Sequence, residues 1–75
     1  MPKRLYKGFK AKIKGIDINH KVASRLLDLG FTENTEFRIE NIAPLGDPCI
    51  IKIRDYLVAI RRSDLNALII EEVVN

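Results

Sequence analysis

Apolar and polar residues alternate along most of this chain, and the few breaks in the alternation are informative. Phe9, Ala11 and Ile13 alternate with Lys10, Lys12 and Lys14, the period of a half-buried strand with a wet lysine face. Gly15 then predicts a bend or bulge. From His20 to Leu29 the period changes. Val22, Ala23, Leu26, Leu27 and Leu29 recur at helical spacing and give a helix with one apolar side. Asn19 stands where an N-cap belongs. Gly30 stands where a C-cap glycine belongs, and Phe31 after it is placed to fold back onto the helix.

Glu33-Asn34 predicts a turn, because Asn tolerates the left-handed conformation better than most residues. Phe37 and Ile39 alternate with Glu36, Arg38 and Glu40 as a second strand, and Ile42 is out of phase with them, which predicts a bulge near Asn41. Cys49, Ile51 and Ile53 alternate with Ile50, Lys52 and Arg54 as a third strand. After a tight connection at Arg54-Asp55-Tyr56, a fourth strand turns Tyr56, Val58 and Ile60 to one face and Leu57, Ala59 and Arg61 to the other. Ser63-Asp64-Leu65-Asn66 predicts one helical turn capped by Ser63. Leu68, Ile70 and Val74 alternate with Ile69, Glu71 and Val73 in a closing strand. Five short strands with one helix and one helical turn predict a mostly-β fold, a small closed barrel. Closure disposes of sheet edges.

Length narrows the picture. Seventy-five residues predict one domain, spanning 1–75, which buries only about 60% of its unfolded surface. The core is thin and a deep catalytic cleft is hard to build. With 47% hydrophobic and 31% charged residues, the chain is too apolar for disorder. The net charge of +3 is unevenly spread, since Lys3, Arg4, Lys7, Lys10, Lys12 and Lys14 precede any acidic residue. Such a segment suits an anionic surface or nucleic acid, or is simply a solvated strand face. The single cysteine, Cys49, has no partner for an internal disulfide. No apolar run approaches the ~20 residues of a membrane span, and none follows the N-terminal charges as in a signal peptide. The expectation is a cytoplasmic protein without membrane insertion.

Candidate chemistry is sparse. His20 and Cys49 could form a nucleophile pair only on paper. A buried structural cysteine and a histidine at a helix start explain them. Asp17, Asn19 and His20 form a short polar run without the paired spacing of a zinc site. There is no serine elbow and no glycine-rich phosphate loop, so no enzyme, metal site or cofactor is expected. Lys10, Lys12 and Lys14 make a basic strand face that a nucleic-acid-binding barrel would use. However, Phe9 and Phe37 fall on core positions, which leaves few aromatics to stack on bases.

Apolar surface is the stronger signal. Ile50, Leu57, Ala59, Ile69 and Val73 fall on outward positions. Between strands two and three, "APLGDP" holds Ala43 and Asp47 extended ahead of their prolines. It makes its reversal at Leu45-Gly46, with Gly46 free to take positive φ. That architecture leaves Leu45 unexplained. Leu45 either contacts a partner or folds back to plug the barrel end. Leu45, Gly46, Asp47, Ile50, Leu57 and Ala59 are the candidate partner-binding residues. Self-association of the domain is a further reading.

"RLLDLGF" (25–31), "APLGDP" (43–48) and "YLVAIRRSDLNAL" (56–68), in that order and spacing, resemble the FeoA family. The likeness runs from Gly8 to about Val73. It implies an SH3-like β-barrel with a helix inserted after the first strand. It also implies a binding module whose partner is FeoB, a membrane iron transporter with a cytosolic GTPase domain, and a role in supporting or regulating ferrous-iron uptake. Two turns depart from the family pattern: Glu33-Asn34 stands for the common Pro-Gly, and Asp55 for a common glycine. The family offers no invariant metal-ligand set to carry over.

Overall fold

The computed structural model describes residues 5–74, so Lys3 and Arg4 of the basic segment lie outside the described residues. The order is β1 (Lys10–Ile16), α1 (Ala23–Asp28), β2 (Glu36–Ile42), β3 (Cys49–Ile53), β4 (Tyr56–Ile60), α2 (Arg62–Leu65) and β5 (Leu68–Glu72). The strands form one five-stranded sheet in the order β4-β3-β2-β1-β5, and every neighbouring pair is antiparallel. The β4 and β5 strands are its two ends, with no ladder joining them among the described residues. The mostly-β fold of five short strands with one helix and one helical turn is the one expected, and the chain after α2 carries β5 across to β1.

Two bulges bend this sheet where the alternation breaks. The β1–β5 register shifts between Ile13 and Gly15. The β2–β3 register shifts between Ile39 and Asn41, which resets the phase so that Ile42 pairs with Cys49 and packs against the core. Phe9, Ala11, Ile13, Phe37, Ile39, Cys49, Ile51, Ile53 and Ile60 are buried on the inner face. Leu26 of α1 and Leu65 of α2 join the same core. Phe31 and Phe37 meet at 5.9 Å between ring centroids.

The two ends of α1 are closed in different ways. At the C-terminus, Phe31 N–H donates to the Leu26 carbonyl and Gly30 N–H to the Leu27 carbonyl, each at 3.0 Å. With Gly30 at φ +104°, this is the Schellman pairing, and Phe31 folds back into the core. At the N-terminus the helix starts later than predicted, and Val22 is its cap residue without a side-chain bond. Asn19 does not cap it: its own N–H donates to Asp17 Oδ1 at 3.0 Å, and the tight turn at Asp17 uses up the chain before the helix begins. Ser63 likewise is no cap, because α2 starts one residue earlier with extended Arg61 as its cap residue.

The strand ends depart from strict alternation. Tyr56 is 40% exposed. It opens β4, and its hydroxyl extends over Gly30, leaving the polar tip wet. Val74 is exposed while Val73 is half-buried, because β5 stops at Glu72 and the last backbone tie is Val73 N–H to the Lys10 carbonyl at 2.8 Å.

Gly30 and Gly46 test the two ways a glycine can be required. Both have positive φ, but a Cβ on Gly30 would meet Arg54 Nε at 2.8 Å, whereas a Cβ on Gly46 would meet nothing within 4 Å. Gly46→Ala is expected to cost about 1 kcal/mol from backbone strain alone. Gly30→Ala should cost more, about 2 kcal/mol, because its positive φ also carries the two Schellman bonds, while the exposed Arg54 side chain can swing clear at little cost. Urea unfolding of the two variants measures the difference.

Candidate functional site

The loop between β2 and β3 is braced from both sides. Gly46 N–H donates to the Ala43 carbonyl at 2.7 Å, closing a β-turn with Pro44 and Leu45 at its centre, and Ala43 N–H donates to the Pro48 carbonyl at 3.1 Å. Gly46 takes φ +93°, and the Asp47–Pro48 peptide is cis. A second brace comes from the start of α2. The Arg62 N–H donates to Asp47 Oδ1 at 2.9 Å, and the Arg62 Nε–H donates to the Gly46 carbonyl. The first-turn amides of a helix lack intrahelical partners. Asp47, fifteen residues earlier, satisfies one of them, the duty expected of Ser63.

Leu45 sits at the tip of this braced turn and is 99% exposed, so it does not plug the barrel. Gly46 and Asp47 are occupied in holding the loop. On the outer face of the sheet, Ile50 lies directly opposite Ala59, and Lys52 opposite Leu57. Leu57 is 60% exposed, Ala59 is exposed and Ile50 half-buried. Ile50, Leu57 and Ala59 thus form one apolar strip along β3 and β4. Asp47 and Ala59 also meet in a cleft of about 440 Å³ completed by Arg25, Pro48, Arg61 and Asp64. Ile69 is exposed too, but on β5 at the other end of the sheet order, away from the strip.

Arg25, Arg61, Asp64 and the bracing Arg62 were absent from the candidate residues. The Arg61-Arg62 pair directly after β4 was their one visible trace, and nothing in the sequence directed it toward a loop so distant along the chain.

The basic strand face is not the uniform stripe that the alternation implies. Lys12 lies opposite Glu36 on β2 and opposite Glu71 on β5. Lys14 Nζ is 3.9 Å from Glu71 Oε1. Of the exposed aromatics, Tyr6 donates its hydroxyl proton to Glu72 at 2.7 Å. Cys49 is fully buried, and burial pushes its thiol pKa up, the opposite of what a nucleophile needs. His20 Nδ1 accepts the Val22 N–H at 3.3 Å, a local backbone role. Among the described residues no three His, Cys, Asp or Glu side chains gather as a metal group, and no helix is long and apolar enough to cross a membrane.

Comparisons with known proteins agree with this architecture. The sequence profile of the FeoA domain matches residues 3–72. A Fe(2+) transport protein A/Fe(2+) transporter FeoB fusion protein of Porphyromonas gingivalis is 31% identical over 67 residues, which is 89% of this chain and 8% of that protein. The chain thus spans less than a tenth of that relative's length. The NMR structure of a FeoA-like protein from Clostridium acetobutylicum superposes with a TM-score of 0.88 at 31% identity, covering 95% of this chain and 83% of the other. The crystal structure of Stenotrophomonas maltophilia FeoA, an SH3 domain protein solved with zinc, has a TM-score of 0.76 at 24% identity, covering 89% and 84%. That last likeness bears on the fold alone, and the fold it gives is the SH3-like one.

Two outcomes follow from the bracing bonds and ion pairs. Asp47→Ala is expected to cost about 1 kcal/mol, the usual value of a lost capping acceptor. Asp47→Asn should keep most of it, because the Oδ1 acceptor remains; thermal and urea unfolding of both variants check this. Glu40 is held below the ordinary carboxylate value by the hydrogen bond from Arg38, with further attraction from Arg38, Lys52 and Lys7. A depressed folded pKa gives stability that is present above the unfolded pKa and lost as pH falls through the folded one. In Arg38→Gln, the Glu40 side-chain NMR titration should move up toward the ordinary value.

Proposed function

The chain belongs to the FeoA family, and from that premise we propose that it is a cytoplasmic accessory protein of ferrous-iron uptake that docks onto the cytosolic part of a FeoB-type transporter. The observation that carries this reading is Leu45. It is a large apolar side chain, 99% exposed, on a turn held rigid by prolines, glycine and the Arg62 bonds. A solvated leucine at a flexible tip would lose entropy on binding, whereas one on a braced turn is already ordered. The strip of Ile50, Leu57 and Ala59 supplies further apolar surface, and the charged cleft at Arg25, Arg61 and Asp64 supplies a polar rim of the kind that borders protein contacts. The fusion of the two proteins in the Porphyromonas gingivalis relative supports physical association, since a single chain keeps both parts at high effective concentration.

A nucleic-acid role is less well supported, because carboxylates interleave the β1 lysines. The measurement is an amide-shift NMR titration of the labelled chain with the soluble GTPase domain of its cognate transporter, with and without a GTP analogue. Shifts confined to Leu45, Leu57, Ala59 and their neighbours are expected. Leu45→Ser and Leu57→Ser, which replace exposed side chains, should unfold like the parent and each weaken binding by about tenfold or more, the usual loss at an apolar anchor. No shift with either nucleotide state at saturating partner would defeat docking to that domain.

A further inference from the structure

Three cations face one another across the middle of the sheet. Lys10 of β1 is the direct partner of Arg38 on β2, and Arg38 is the direct partner of Lys52 on β3. All three lie on the outer face, because the residues flanking each of them in sequence are buried. Arg54, two residues beyond Lys52, extends the row. Together with Glu36 and the edge of Phe37, these four cationic residues line an open cleft of about 260 Å³. The positive face therefore runs across the strands, not along β1 as Lys10, Lys12 and Lys14 imply.

This arrangement has a cost in the unliganded protein. Like charges directly opposite on neighbouring strands repel, and here two such pairs share one arginine. Among the described residues only Arg38 of the four has a carboxylate partner, Glu40 at 2.6 Å. Arg54 reaches only a hydroxyl, Thr32 Oγ1 at 3.4 Å. Glu40 also attracts Lys52 at longer range, but Lys10, Lys52 and Arg54 make no ion pair among the described residues and are open to another ligand.

We propose that the Lys10–Arg38–Lys52–Arg54 row binds a compact polyphosphate anion, two or three linked phosphoryl groups. Charge sets the class of ligand: Lys10, Arg38 and Lys52 stand on three successive strands, about 10 Å across at the backbone. Their side chains can converge from that spacing, and their three positive charges match a di- or triphosphate better than a single phosphate. The arginines provide forked donors for phosphoryl oxygens and the lysines point charges. A nucleic-acid strand is a poorer fit, because an extended backbone would run on past the row against Glu36 and Glu40 and would find no aromatic among the four positions to stack on its bases, whereas a compact anion need meet only the cations. The site shares no residue with Leu45 or the apolar strip, so it stands or falls apart from transporter docking.

The test is a titration of the labelled chain with tripolyphosphate at constant ionic strength, with sulfate as the reference anion. Saturable amide shifts at Arg38, Lys52 and Arg54 are expected. Lys52→Gln and Arg38→Gln should each weaken the affinity about tenfold or more, the loss of a charge-assisted hydrogen bond. Lys14→Gln, on the same strand as Lys10 but paired with Glu71, should leave affinity unchanged. The unliganded Lys52→Gln protein should unfold close to the parent, because the removed repulsion with Arg38 offsets the lost long-range attraction to Glu40. Shifts that never saturate, sulfate acting as well as tripolyphosphate, or equal weakening by Lys14→Gln would each reduce the row to diffuse charge and overturn the site.

Discussion

The constraint on which the rest of the molecule depends is the thinness of its core. With so few residues, nearly every inward position of every strand must be apolar and buried, and Phe9, Ala11, Ile13, Phe37, Ile39, Cys49, Ile51 and Ile53 meet that demand. Strict inward alternation has an outward consequence. Residues between the buried ones are aligned by the same ladders into cross-strand rows, whatever their chemistry. The apolar pair Ile50–Ala59 and the cationic series Lys10–Arg38–Lys52 are two such rows. The two bulges keep both faces in phase. Without the shift at Asn41, Ile42, the last residue of β2, would leave the core.

A thin core also leaves little to hold loops in place. The β2–β3 connection compensates through backbone restriction and through α2. Pro44 sits at the centre of the turn and Pro48 at its exit, Gly46 takes the left-handed position, and Arg62 ties the turn to the helix start by its backbone and its side chain. A four-residue helix has little stability of its own, so the dependence is mutual: Asp47 satisfies an open amide of α2 while α2 fixes Asp47. Leu45 is then presented by a rigid frame to which it contributes nothing, which explains how a turn that needs no leucine can carry one.

Local chemistry was legible in the sequence wherever a residue acts on its own backbone or on its own strand face. Gly30 announced the helix end, Asn34 the left-handed turn, at φ +71°, and the phase break at Ile42 the bulge. Features made by two distant segments were not legible. Ser63 is a good capping type, but the amide at the start of α2 goes to Asp47 on a distant loop; Asn19 is a local exception, its own N–H being taken by Asp17. The family's common glycine at position 55 pointed to the right turn and the wrong residue, since Arg54 carries the positive φ. Lys10, Lys12 and Lys14 looked like a patch because they share a strand. Pairing decided otherwise, placing Glu36 and Glu71 beside Lys12 and bringing Arg38 and Lys52 to Lys10.

The size of the molecule links its outer features. The chain exposes 4936 Å², and a standard protein contact covers about 800 Å² on each partner, close to a sixth of that surface. Leu45, Leu57, Ala59 and Ile50 alone cannot fill such an area, so a partner seated on them must also cover neighbouring charge. One neighbour is the cleft with Arg25, Arg61 and Asp64. The other is the cationic row, which meets the apolar strip where Lys52 stands opposite Leu57. An anion held by Lys52 and Arg38 would lie against the rim of any protein docked on Leu57 and change the charge that partner meets. On a domain this small, the apolar strip and the cationic row are neighbours by geometry, because one ladder position holds both Lys52 and Leu57.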